Sequence, residues 1–163
     1  MIVVLESSYP SAVDTIVTEH LRVQPSDEEL YTSAVRCVQN AIDIASDYCN
    51  RIIAKSKVVM SMTVGDGVAM LPTAPIVEVE SVEVNGNAVD HQLIGNDKVA
   101  YISHIPSGEV TIVATVGYEE LPGSIYAAVV MMAHSLFEGN SEGALSSHAK
   151  SLLNPYRIYP YGI

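Results

Sequence analysis

His134 and Glu138 stand four residues apart in an apolar stretch of helical periodicity, so both side chains fall on one helix face. An imidazole beside a carboxylate can act as a general acid–base pair or supply two ligands to a metal. Either use needs a further group, and His20, His91, His104 and His148 fall in separate predicted elements at no ligand spacing. Asp27-Glu28-Glu29 and Glu119-Glu120 are runs of carboxylates of the kind that acid–base work or calcium would require. Both runs precede or begin predicted helices, where acids cap free amides and meet the positive end of the helix dipole. Cys37 and Cys49 lie on one predicted helix and point about 120° apart, so they are expected to be free thiols rather than a bridge. The sequence holds no GxSxG, P-loop, GxGxxG, HExxH or CxxC motif. It therefore predicts no catalytic residue, no metal ligand and no cofactor. An enzyme, the reading from a different class, would have to build a pocket around His134 and Glu138.

The chain that must position these residues has 163 amino acids, 48% of them hydrophobic and only 17% charged, against roughly 25% charged in an ordinary soluble domain. So little charge leaves much surface undefended, and neighbours are expected to cover part of it. The net charge of −11, from 19 acids and 8 bases, disfavours gripping a phosphate backbone, which takes Lys and Arg to displace counterions. Met1-Ile-Val-Val-Leu5 is apolar, but Glu6 follows it and no base precedes it. Neither a signal peptide nor a membrane span is expected there, and the protein is read as soluble and intracellular.

Length and composition predict one domain over residues 1–153 and an extended tail over 154–163. A helix over about 11–21 presents Val13, Ile16, Val17 and Leu21 on one stripe. Ser26-Asp27-Glu28-Glu29 reads as a capping box opening a helix over about 27–54, whose buried stripe is Leu30, Ala34, Val38, Ala41, Ile42, Ala45, Cys49 and Ile52. From Val58 the period becomes two, and a β region over about 58–117 is expected. Within it the apolar positions run odd at Val77 and Val79 but even at Val82 and Val84, which predicts a bulge near Ser81. Asn85-Gly86 predicts a tight hairpin turn. A last helix over about 124–138 is apolar beyond one stripe at Val130 and Met131, so a second buried side is expected, with Val130, Met131 and His134 as candidates for a subunit interface. The expected class is α+β and mainly helical: a long central helix and a C-terminal helix packed with a small antiparallel β region.

The tail concentrates interface chemistry, because three of the nine tyrosines, Tyr156, Tyr159 and Tyr161, fall in its last eight residues beside Arg157. Tyr and Arg anchor interfaces, and Pro155 and Pro160 restrict the chain before it docks.

Taken in order, several segments resemble the head-tail connector proteins of tailed bacteriophages, also called adaptor or head-completion proteins. The resemblance is carried by His20-Leu-Arg-Val23 before Asp27-Glu-Glu-Leu30, then Ala41-Ile42 through Tyr48 to Arg51. It continues with Leu71-Pro72, Pro75-Ile-Val77, Val79 to Val82, Val110 to Gly117-Tyr118 with Pro122, and closes on Leu152-Leu-Asn-Pro-Tyr-Arg157. At Phe137-Glu-Gly-Asn140 the chain departs from the family, which often carries an Arg there. The resemblance implies a non-enzymatic protomer of a homo-oligomeric ring, about twelve copies, docked under the portal protein and meeting a downstream neck or tail-completion protein. It implies a place in the virion neck, reached from the host cytoplasm during assembly, with DNA passing through the channel without specific binding. A neck or tail-completion ring protein on the tail side is the near alternative. A channel lined by acids would repel phosphates, and Asp27, Glu28, Glu29, Glu78, Glu80 and Glu83 are the candidates for that lining. Leu153, Pro155, Tyr156, Arg157, Tyr159 and Tyr161 are the candidates for portal binding.

Overall fold

The computed structural model describes all residues except Asp66, Asp97, Glu142 and 159–163. The chain divides into two compact units that interleave in sequence: a sheet unit of Met1–Ser8 with Lys55–Tyr118, and a helical unit of Tyr9–Ala54 with the chain from Glu119 onward.

In the helical unit, α1 (Ala12–Thr15) continues as a wider turn over Ile16–His20, which buries Val13, Ile16 and Val17. The long helix α2 (Glu28–Cys49) buries Ala34, Val38, Ala41, Ile42, Ala45 and Cys49, a stripe at helical spacing. Its cap is Asp27, whose carboxylate accepts from the Leu30 amide at 3.3 Å, one residue later than the expected capping box places it. Leu30 accordingly lies outside the buried stripe, 43% exposed. The helix was expected to run to 54 and stops at Cys49, because Asn50 takes the left-handed conformation (φ 50°, ψ 41°), which asparagine tolerates better than most residues. Helix α3 (Gly123–Phe137) packs against both α2 and α4 (Ser147–Leu153), so its second apolar side is covered in large part by its own unit. Ile125, Ala128, Val129, Met132 and Ala133 are its buried residues.

The sheet unit is larger than the sequence predicts. Strands β1 (Ile2–Ser8), β2 (Lys55–Val64), β4 (Ile76–Val84), β5 (Asn87–Ala88) and β8 (Gly108–Val116) form an antiparallel sheet in the order β1-β2-β8-β4-β5. A second sheet, β3-β7-β6, joins Gly67–Met70, Ala100–Ile105 and Gln92–Gly95. In the first sheet Val58, Met60, Val110, Ile112, Ala114 and Val116 are buried, and Met60 stands opposite Ile112 across the ladder. The slip in apolar phase is present as a register shift between Val79 and Ser81, joined by a second between Ile76 and Glu78. Asn85 and Gly86 both take positive φ (52° and 78°), as the tight hairpin turn demands.

The expectation of a mainly helical chain is thereby corrected: the fold is mixed α+β, with 36% of the described residues helical and 34% in strands, and with two antiparallel sheets among them. The shortfall has two causes. The apolar start of the chain is not a bare N-terminus but strand β1, paired to β2 across the intervening residues 9–54. The short strand β6 is exposed throughout and so shows no alternation, whereas β5 lies where the hairpin turn at Asn85-Gly86 returns the chain.

Candidate functional site

The C-terminal segment is fastened to the end of α2 within the helical unit. Ser146 caps α4 by accepting from the Ala149 amide at 3.2 Å. After Leu153 the chain makes a 3-10 turn over Asn154–Tyr156 rather than the extended run expected from residue 154. Pro155 sits in the first turn, where no amide needs a partner, so it starts this turn instead of breaking it. The Tyr48 hydroxyl donates to the Asn154 side-chain oxygen at 2.6 Å, and the Arg157 guanidinium lies over the Tyr48 ring at 5.0 Å. The Ile158 amide donates to the Cys49 carbonyl at 2.8 Å, and Asn50 Nδ2 donates to the Ile158 carbonyl at 3.1 Å. The Cys49 thiol faces the Leu153 carbonyl at 3.7 Å, and burial pushes it up against the pull of Arg51 and Arg157. Two of the segments that carry the family resemblance, Tyr48 to Arg51 and Leu152 to Arg157, thus meet.

Of the candidate docking residues, Leu153 is fully buried and serves as an anchor, Tyr156 is half-buried, and Pro155 and Arg157 are exposed. Tyr159 and Tyr161 lie outside the described residues.

On α3, Met131 and His134 are exposed and Val130 is half-buried, so the three form one outward strip of the helical unit. Glu138 is exposed one turn beyond His134. Among the described residues no group of three His, Cys, Asp or Glu side chains could hold a metal, and no helix is long and apolar enough to cross a membrane.

The acids fall into two sets. Asp27, Glu28 and Glu29 are exposed around the start of α2 in the helical unit, and Glu78, Glu80 and Glu83 are exposed on β4 in the sheet unit. Glu78 and Glu83 stand opposite Thr115 and Thr111 of β8. Glu80, the residue extruded by the bulge, forms an ion pair with Lys57 of β2. The hydrogen bond that Lys57 donates to Glu80 raises the Lys57 pKa, with smaller help from Glu6 and Glu78.

Sequence reasoning missed the polar fasteners of the helical unit. His20 Nε2 meets the Tyr126 hydroxyl at 3.0 Å with the rings edge to face, tying the segment after α1 to α3. Tyr31 donates to Asp14 at 2.8 Å, and Tyr9 to Asp43 at 3.1 and 3.2 Å. Each joins residues of different elements, so no local spacing announces it.

No family model matches the sequence, and no curated protein does. Solved structures do match. A chain in the neck of an empty gene transfer agent particle, computed with C6 symmetry, superposes with a TM-score of 0.78 over 99% of this chain and 97% of that one, at 18% identity. A chain in the virion of a native gene transfer agent particle gives 0.76 over the same shares, also at 18% identity. A chain in the neck of the native particle, computed with C12 symmetry, gives 0.71 at 17% identity. This chain shares their fold from end to end.

Proposed function

We propose that the chain is a structural, non-enzymatic subunit of the neck of a tailed-phage-like particle. It acts as a head-tail connector, forming a ring of about twelve copies under the portal that extends the DNA channel toward the tail. The reading rests on the likeness of fold to a chain from a gene transfer agent neck, which covers 99% of this chain. The sparse charge and the exposed apolar residues of the sheet unit support it, since a ring protomer needs two complementary patches.

In this reading the protein is made in the host cytoplasm and works in the virion. Val130, Met131 and His134 contact the next subunit. Pro155, Tyr156 and Arg157, with Tyr159 and Tyr161, dock on the portal from the fastening at Leu153. Asp27, Glu28, Glu29, Glu78, Glu80 and Glu83 face the lumen, where like charge lets DNA slide without binding. A neck or tail-completion protein takes the opposite rim.

The test is the mass and electron-microscopic appearance of the purified protein, alone and with the portal protein of its particle. A ring that binds the portal is the expected result. Capture by the tail tube and not by the portal moves the protein to the tail side of the neck. A chain that stays single and ignores both overturns the reading. Removal of residues 154–163 is expected to abolish portal binding while the ring persists.

A further inference from the structure

The sheet of five strands ends on one side in β1, whose only neighbour among the described residues is β2. Edge strands usually carry lysine, proline or an inward charge that discourages further pairing. Here Met1, Val3, Val4 and Leu5 are 82%, 44%, 50% and 52% exposed, and the first charged side chain is that of Glu6. On the other side, β5 and the Val89 amide that follows it cover β4 from Val82 to Val84, and among the described residues no strand pairs with that edge from Ile76 to Ser81. Beside that edge lies a groove of about 280 Å³ lined by Pro75, Ile76, Leu93, Gly95, Asn96 and Ala100. Val77, on the same edge, is 51% exposed.

We propose that β1 of one copy pairs with the open β4 edge of a second copy, so that the sheet runs on from subunit to subunit. Strand direction selects this occupant. Every neighbouring pair along β1-β2-β8-β4 is antiparallel, so the two outer strands of these four run in opposite directions. Copies laid edge to edge with the same face up therefore join β1 to β4 antiparallel, the pairing already used throughout the sheet. The two edges differ, so the contact is head to tail, the kind that closes into a ring. The apolar side chains of β1 would be covered by Val77 and by the groove beside Ile76. The inference rests on the ring reading above and adds which edges make the joint.

The ladder supplies a selective test. Met1 and Ser61 exchange both backbone hydrogen bonds, at 2.7 and 2.9 Å, so in the alternating antiparallel pattern Val3 also bonds to β2 while the amides of Ile2 and Val4 point to the open edge. Val4→Pro thus removes an outward donor and leaves the β1–β2 bonds in place. Native mass measurement of the full chain is expected to show multiples for the wild type and a single-chain mass for Val4→Pro, with the thermal melt nearly unmoved. A multimer that survives in folded Val4→Pro overturns the edge pairing and leaves the ring reading standing, whereas a wild type that stays single at high concentration overturns both. If Val4→Pro does not fold, cross-linking decides: Val4→Cys chains mixed with Val77→Cys chains, treated with a short bis-maleimide, should yield mixed dimers. Dimers from Val4→Cys alone, or none, overturn the proposal.

Discussion

Among the described residues, nine of the twelve exposed large apolar ones, Met1, Val3, Val4, Leu5, Val68, Met70, Val77, Leu93 and Ile94, belong to the sheet unit, and Tyr9, Leu30 and Met131 belong to the helical unit. The interiors do not differ in this way: Met60 and Ile112 in one and Ile42 and Ile125 in the other are all fully buried. A helix closes its backbone bonds within itself and can hide its apolar stripe against two neighbours, as α3 does with α2 and α4. A sheet leaves unpaired amides and carbonyls at its edges, and here the residues beside them are apolar. Surplus hydrophobicity in a composition thus need not sit on the most hydrophobic helix. It gathers where the backbone itself is unfinished.

The two interiors are expected to respond alike to a lost side chain. Ile112→Ala in β8 and Ile125→Ala in α3 are each expected to cost about 2–5 kcal/mol in urea unfolding, because both leave a cavity in a close-packed site. A loss well under 1 kcal/mol for Ile112→Ala alone would show a loosely packed sheet and undo the equivalence. Next, Tyr48→Ala removes a hydrogen bond and a cation–ring contact, together about 1–2 kcal/mol. Its sharper signature is expected to be tryptic cleavage after Arg157 that is faster than in the wild type. Ile94→Lys, on the exposed β6, should change folding stability by no more than about 0.5 kcal/mol while lowering self-association in light scattering. Smallest is an alkaline effect: burial raises the Cys49 pKa, so its share of stability is complete below the ordinary thiol value of 9.0 and is lost as pH rises through the raised one. Cys49→Ala should flatten that alkaline fall in a pH series of melts.

The helices were the legible part. Periodicity at α2 names all six of its buried residues, because one face of a long amphipathic helix repeats its signal over several turns. It erred only at the ends, at Leu30 and Ile52, where tertiary contacts and the left-handed Asn50 decide. The bulge at Ser81 and the turn at Asn85-Gly86 were also readable, since each depends on a phase or a backbone conformation written in two or three residues. Strand β1 was not, for an edge strand that is apolar on both faces shows no alternation. The fastening of the tail was hidden for another reason: Asn50 and Ile158 lie 108 residues apart, and no local pattern links them.

The interleaving of the two units also sets an order in time. A ribosome completes the sheet unit at Tyr118, while the helical unit, begun earlier at Tyr9, still lacks α3, α4 and the clasp at Ile158. At roughly 5–20 residues per second the remaining 40 or so take about 2–8 s. During that interval the first-made helices wait with their greasy side unsheltered, whereas the strands can already zip together. The nascent chain is therefore most vulnerable in the part that ends up best covered.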